Sequence, residues 1–184
     1  MCQAIVKPAG VTIPKATLKR AWQSNQDGAG FCYVDKTGQA VVIKKGFFKF
    51  KAFWHAYQKH CDKSMLIHFR WATHGERVAE NCHPFMLAKD AALIHNGILS
   101  GFTPTAQSKL SDTRVFCEGY LVPGMHLAQL DSHSYFSSPA LMGFIESLIV
   151  TSNKLEVMTT KGTVIFNEAQ GEWNNGAWYS AGYP

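Results

Sequence analysis

Apolar positions recur along this chain with two different periods, and the switches between them predict an alternation of strands and helices. Alternation by twos, or a short apolar run, predicts strands at Met1 to Val6, Phe31 to Val34, Ala40 to Ile43, Ser64 to Ile67 and beyond, and Ala91 to Ile94. Three more predicted strands, Lys154 to Thr160, Thr163 to Asn167 and Ala177 to Tyr179, close the chain. Helical spacing predicts a helix from Pro14 to Ser24, with Leu18, Ala21 and Trp22 on one face. A second helix carries Phe50, Phe53, Trp54, Tyr57 and Cys61 as an aromatic stripe. A third starts at Ser111-Asp112-Thr113 and runs to about Leu121, and a fourth opens at Ser138-Pro139 with Leu141, Phe144, Ile145, Leu148 and Ile149 as a broad buried face.

One predicted strand carries a charge where its pattern is most apolar. Across Ser64 to Trp71, Met65, Ile67, Phe69 and Trp71 fall on one face and Leu66, His68 and Arg70 on the other. Arg70 is thus held against apolar neighbours. A guanidinium there needs an anion, and its planar fork suits a carboxylate, either from a protein Asp or Glu or from a bound substrate.

Composition narrows the class. The 184 residues are enough for one domain, 1–184, with a sizeable core, and 46% hydrophobic with 17% charged residues fits a globular chain. No apolar run reaches bilayer length, since Glu146 breaks the longest, Ala140 to Val150. A basic-then-apolar leader is missing, so no signal peptide is expected, and five cysteines without paired spacing suit reduced thiols in a cytoplasmic setting. The net charge of +5 is modest. Its one dense cluster, Lys44, Lys45, Lys49 and Lys51 among Phe47, Phe48 and Phe50, reads as a solvated edge beside a buried aromatic stripe or as a nucleic-acid surface.

Several residues carry candidate chemistry. If the initiator Met1 is removed, Cys2 gains a free α-amine, and the ordinary pKa values of about 8.5 for a thiol and about 7.7 to 8.0 for an α-amine let one serve as base for the other. Asn25-Gln26-Asp27-Gly28-Ala29-Gly30 is a polar glycine-rich loop, either a turn or a close backbone approach to a ligand. Asn96-Gly97 is first a tight-turn signal, and second a side-chain amide and backbone N–H that could converge on an oxyanion. Asp112 is accounted for by helix capping. Cys61, His68, His74, Cys82 and His83 lie close in sequence without the spacing of a metal motif, so no metal is expected.

Taken in order, Met1-Cys2, Asp27-Gly28-Ala29-Gly30, Arg70-Trp71-Ala72-Thr73-His74-Gly75, Asn81-x-His83-Pro84, His95-Asn96-Gly97 and Ser111-Asp112-Thr113 resemble the motifs of the class II glutamine amidotransferases, with Trp178-Tyr179-Ser180 a fainter echo. The resemblance implies an N-terminal-nucleophile hydrolase fold, an α+β four-layer αββα sandwich of two antiparallel sheets between helices. It implies Cys2 as nucleophile, Asn96 and the Gly97 N–H as oxyanion holders, and Arg70, with Trp71, Thr73 and His74, around the α-carboxylate of L-glutamine. Asp112 would meet the α-ammonium, and Asp27 and Gly28 would line the pocket. No cofactor is implied. The ammonia would pass to a separate synthetase, and neither a membrane nor a nucleic acid is expected as partner. Two alternatives stand beside this reading: a hydrolase of another γ-glutamyl amide, and a catalytically silent binding module. The chain departs from the usual pattern at Gln3, where Gly is common after the nucleophile, and at Asn25-Gln26, where an Arg usually precedes the Asp-Gly loop.

Overall fold

In the computed structural model, which describes residues 2–105 and 107–184, the strands form two antiparallel sheets stacked face to face. The six-stranded sheet is built from β1 (Gln3–Lys7), β2 (Ala29–Val34), β3 (Val41–Phe47), β4 (Met65–Phe69), β9 (Glu172–Asn174) and β10 (Ala177–Tyr179), in the order β3-β2-β4-β1-β10-β9. The four-stranded sheet runs in sequence order, β5 (Phe85–Ala88), β6 (Ala91–Asn96), β7 (Lys154–Thr159) and β8 (Gly162–Phe166). Helices α1 (Lys15–Ser24) and α2 (Phe50–Gln58) cover the outer face of the first sheet. Helices α3 (Asp112–Phe116), α4 (Val122–Ala128), α5 (Ser132–Ser137) and α6 (Pro139–Ile149) belong to the layer over the second, and a π-helical turn at Cys117–Leu121 joins α3 to α4. The result is the four-layer αββα sandwich that the family resemblance implies.

Alternation along each strand sorts its side chains into three cores. In β4, Met65, Ile67 and Phe69 meet Leu18, Trp22, Phe53 and Tyr57 of the helices, while Leu66 turns inward to Ala4, Ala92, Ile94, Met158 and Trp178 between the sheets. Under the second sheet, Leu93, Leu155 and Val157 pack on Phe116, Phe136, Ile145 and Ile149. The Lys/Phe cluster takes part in this packing: Phe47 and Phe50 lie against the first helical core, and Lys45 donates to the Glu80 carbonyl beneath the ring of Phe85. No helix among the described residues is long and apolar enough to cross a membrane.

Some elements differ from expectation for identifiable reasons. β3 runs on to Phe47 because Gly46 takes a positive φ of 78°, which lets the strand continue past the lysines. The third helix passes Leu121 through its π turn into α4, where Pro123 sits in the first turn and does not stop it. On α6, Ile145 and Ile149 are buried, but Phe144 and Leu148 are 57% and 39% exposed, so the buried face is narrower than its apolar pattern. β5, β9 and α5, each of six residues or fewer, were not anticipated.

Trp178 fills the space between the sheets, fully buried, and donates its indole N–H to the Glu168 carbonyl at 3.2 Å. Trp178→Ala should therefore lower unfolding free energy by about 3–5 kcal/mol, and Trp178→Phe by clearly less. Urea denaturation followed by far-UV circular dichroism measures both.

Candidate active site

The register between β1 and β4 builds the centre of the site. Gln3 pairs with Phe69, so one residue earlier Cys2 meets the chain as it leaves β4. Its sulfur lies between two main-chain atoms of Trp71, whose N–H donates to Sγ at 3.2 Å and whose carbonyl accepts the thiol at 3.3 Å. The predicted alternation breaks there: the Trp71 side chain is 52% exposed at the cleft. Burial pushes the Cys2 thiol above its ordinary pKa, against the opposing effects of the Trp71 hydrogen bond and the Arg70 charge. The resting sulfur is a protonated thiol at neutral pH, and attack by it requires a base. Removal of Met1, which would bare an α-amine, lies outside the described residues.

Two cavities meet at Cys2. One is a polar recess of about 20 Å³, with Arg70, Thr73, His74, Gly97, Asp112 and Thr113 in its wall. The other is a larger, more apolar cleft of about 370 Å³, bounded by Trp71, Thr73, Asn96, Gly97, Ile98 and Ser152. Cys2, Trp71, Thr73 and Gly97 belong to both.

Among the described residues Arg70 pairs with no carboxylate. Its guanidinium donates to the carbonyl of Glu76 at 3.0 Å and to that of His74 at 2.7 Å, closing the loop 70–76 around itself. Those bonds use two of its five N–H groups, and the side chain still borders the recess. Asp112 is also redirected. Ser111 is the residue that caps α3, accepting from the Arg114 N–H, while Asp112 accepts from the N–H groups of Leu99 and Thr113, each at 2.8 Å. The helix therefore does not need Asp112 as its cap. Asp27 and Gly28 line neither cavity at Cys2, contrary to expectation. They brace the loop instead: the Arg70 N–H donates to the Gly28 carbonyl, the Asp27 N–H to the Arg70 carbonyl, and the Ala72 N–H to the Asp27 carboxylate at 2.9 Å. Arg77 reaches the same place, at 3.7 Å from the Asp27 carboxylate and on the Gln26 carbonyl, so a cation stands beside this loop although none precedes it in sequence.

Asn96-Gly97 does not form a hairpin. Asn96 is the last residue of β6, opposite Lys154, and donates its amide to Ser180 Oγ at 2.9 Å. Gly97 has φ +147°, and a Cβ there would lie 2.1 Å from Asn153 Oδ1, so only glycine fits.

Behind this strand end lies a group to which the sequence pattern assigns no role. His68, His83 and His95 are all buried, and the rings of His68 and His83 stack at 4.0 Å. His68 Nε2 donates to the His95 carbonyl at 2.9 Å, and the His95 N–H donates to His83 Nδ1 at 3.0 Å. The His95 ring spans Asn153 Oδ1 and Thr113 Oγ1, both at 2.9 Å. Because a carbonyl only accepts and a backbone N–H only donates, His68 carries a proton on Nε2 and His83 none on Nδ1, while the Asn153 oxygen takes a proton from His95 Nε2; burial favours the neutral form of all three. The signal that could have found them is a polar residue at an inward or mid-strand position of an apolar run, as at His68 and His95. All five cysteines are free. Among the described residues no group of three or more His, Cys, Asp or Glu side chains is arranged to hold a metal.

The likeness of the chain to known proteins agrees with this geometry. No family model matches it. It is 32% identical over 89 residues to the glutamine–fructose-6-phosphate aminotransferase (isomerizing) of Pectobacterium atrosepticum, covering 47% of this chain and 14% of the relative. The enzyme of the same name from Aquifex aeolicus is 35% identical over 88 residues, covering 46% and 14%. In structure, the chain matches the glutamine phosphoribosylpyrophosphate amidotransferase of B. subtilis with a TM-score of 0.60 at 18% identity, over 97% of this chain and 41% of that one. Over about half of its length the chain is thus similar in sequence to glutamine–fructose-6-phosphate aminotransferases, and it shares its fold with a glutamine amidotransferase. It spans 14% of the length of these two curated relatives.

Burial depresses the pKa of all three histidines, to about 3 for His68. Unfolded, each titrates near 6.5, so their contribution to stability is complete above that pH and is lost as pH falls toward the folded-state value. Each ring should add a slope of about 1.4 kcal/mol per pH unit within its window. Urea midpoints measured from pH 7 to pH 4 should fall steadily, and a folded His68→Leu variant should show the shallower dependence.

Proposed function

We propose that this chain hydrolyses the side-chain amide of L-glutamine, with Cys2 as nucleophile, and that the ammonia released serves an amidation carried out by a synthetase. The observation that carries this reading is the convergence of Cys2, Arg70, Asp112 and Gly97 on one recess from four separate segments. Arg70 and Asp112 offer opposite charges to the α-carboxylate and α-ammonium of an amino acid, with Trp71, Thr73 and His74 beside them. A recess of about 20 Å³ holds no more than a water, so glutamine enters only as the loop 70–76 gives way, exchanging carbonyl partners of Arg70 for its own carboxylate.

In the proposed reaction the Cys2 α-amine, bared by removal of Met1, takes the thiol proton and the sulfur attacks the amide carbon. The developing oxyanion is held by the Gly97 N–H and by the second amide hydrogen of Asn96, the first being committed to Ser180. Collapse returns the proton to the departing nitrogen, ammonia leaves, and a γ-glutamyl thioester remains on Cys2. Water, activated by the same amine, releases glutamate. Asp27 and Gly28 act here through the loop they brace, as positioning residues.

A second reading draws on the cleft of about 370 Å³ beside Cys2. Bounded by Trp71 and Ile98, it has room for an amine larger than ammonia, which favours a γ-glutamyl amide with an apolar leaving group as substrate. Ammonia release from glutamine, compared with amine release from a γ-glutamyl alkylamide, separates the two by their kcat/KM values.

Intact mass after incubation with a diazo-ketone glutamine analogue tests the nucleophile: a protein lacking Met1 with one adduct mapped to Cys2 is expected, and none in Cys2→Ala. Retained Met1 without an adduct would favour the silent binding module. Arg70→Ala should reduce kcat/KM by about tenfold to a hundredfold, the range of a lost charge-assisted hydrogen bond, mainly through KM. An unchanged KM would remove Arg70 from the assignment.

A further inference from the structure

A third cavity, of about 690 Å³, shares no lining residue with the two at Cys2. It opens where the end of α1, the start of β7 and the chain on either side of β9 and β10 come together, and Gln3, Asn25, Lys154, Gln170, Glu172 and Ser180 contribute polar groups to its wall. Two of these lack partners: the Asn25 side-chain oxygen, which is buried, and the ammonium of the largely buried Lys154. Lys154 is 8% exposed, and among the described residues its ammonium has neither a hydrogen bond nor an ion pair. Asn25 is buried, with its amide nitrogen donating to the Ala21 carbonyl at 3.0 Å and its Oδ1 without a partner among the described residues.

The nearest buried carboxyl does not answer the lysine. Glu156, two residues on and on the same face of β7, is fully buried with both oxygens unpartnered. Burial pushes its pKa well up, more than the Lys154 charge brings it down, which favours its uncharged form. Glu172 contributes an anion in an exposed strand, with one oxygen accepting from the Tyr183 N–H. The cavity thus presents a lysine ammonium without a partner among the described residues and a buried free acceptor, within the size range of small-molecule sites.

We propose that this cavity is a binding site for a small molecule with a carboxylate or phosphate head, which Lys154 receives, and an adjacent hydrogen-bond donor, which Asn25 Oδ1 receives. The wall also links the site to the reaction. Ser180 Oγ accepts from both the Ala4 N–H and the Asn96 amide, each at 2.9 Å, so an occupant resting on Ser180 bears on the oxyanion residue. That last link rests on the proposed glutaminase reading; the binding site itself does not.

The test is an NMR titration of the full chain, ¹⁵N-labelled, with inorganic phosphate and separately with succinate. Saturable shifts are expected at the amides of Asn25, Gln170 and Gly171. Response to one anion alone identifies the head group as phosphoryl or carboxylate, and response to both identifies a general anion site. Affinity should fall roughly tenfold or more in Lys154→Met, remain in Lys154→Arg, and rise about twofold to fivefold in Glu172→Gln, which removes a competing charge and keeps the acceptor for Tyr183. No saturable shift with either anion, or shifts that Lys154→Met leaves intact, would overturn the site. Should Lys154→Met fail to fold, an unchanged affinity in Glu172→Gln would overturn it equally. A chain that binds the anions but releases no ammonia from glutamine keeps this site and loses the proposed function; turnover without binding does the reverse.

Discussion

Everything at the cleft depends on the register of β1 against β4. Pairing Gln3 with Phe69 sets Cys2 beside the residues that follow β4, and the side-chain period of two means that a slip by one residue would turn Ala4 and Val6 outward from the core between the sheets. The hydrophobic pattern therefore holds Cys2 in place, because the alternative register leaves Ile5 facing the wrong layer. Placement of the sulfur is a by-product of burying Ala4, Ile5, Val6, Leu66 and Ile67.

The second sheet is tied to the first at the same end by a polar device. Apolar contacts are tolerant of sliding, whereas the bond from His68 on β4 to the His95 carbonyl on β6 is not, and the His83 ring stacked on His68 receives the neighbouring N–H. The three rings fix the relative position of the two strand ends to within hydrogen-bond tolerance, and those ends carry Arg70 and Asn96-Gly97. Two orphaned acceptors, His68 Nδ1 and Asn96 Oδ1, remain within this region as the cost of packing it so tightly.

Much of this architecture was legible in the sequence, and the limits are instructive. The alternation through Leu66, Ile67, His68 and Phe69 predicts β4 and both of its faces, since burial on opposite sides leaves no other reading. It fails at Trp71, where the ladder has ended and the backbone turns to hold sulfur. The ring trio was not visible because His68, His83 and His95 come from three segments, and their partners are main-chain atoms that no side-chain motif reports. Arg70 was read correctly as buried, but the protein carboxylate that was one candidate for its anion is replaced by a pair of loop carbonyls, which a sequence pattern cannot tell from a carboxylate. Asp112 was credited with a cap that Ser111 supplies, because adjacent residues at a helix start compete for that role on nearly equal terms. Short elements such as β9, three residues long, carry too few positions for any period to emerge.

The cradle around the Cys2 sulfur consists of peptide atoms, the N–H and the carbonyl of residue 71. Substitution there exchanges the indole at the cleft mouth without touching either partner of the sulfur. Insertion or deletion of a single residue between Phe69 and Ala72 would misplace both at once. The seat of the sulfur is thus buffered against substitution at residue 71 and brittle toward any change in the length of the chain beside it.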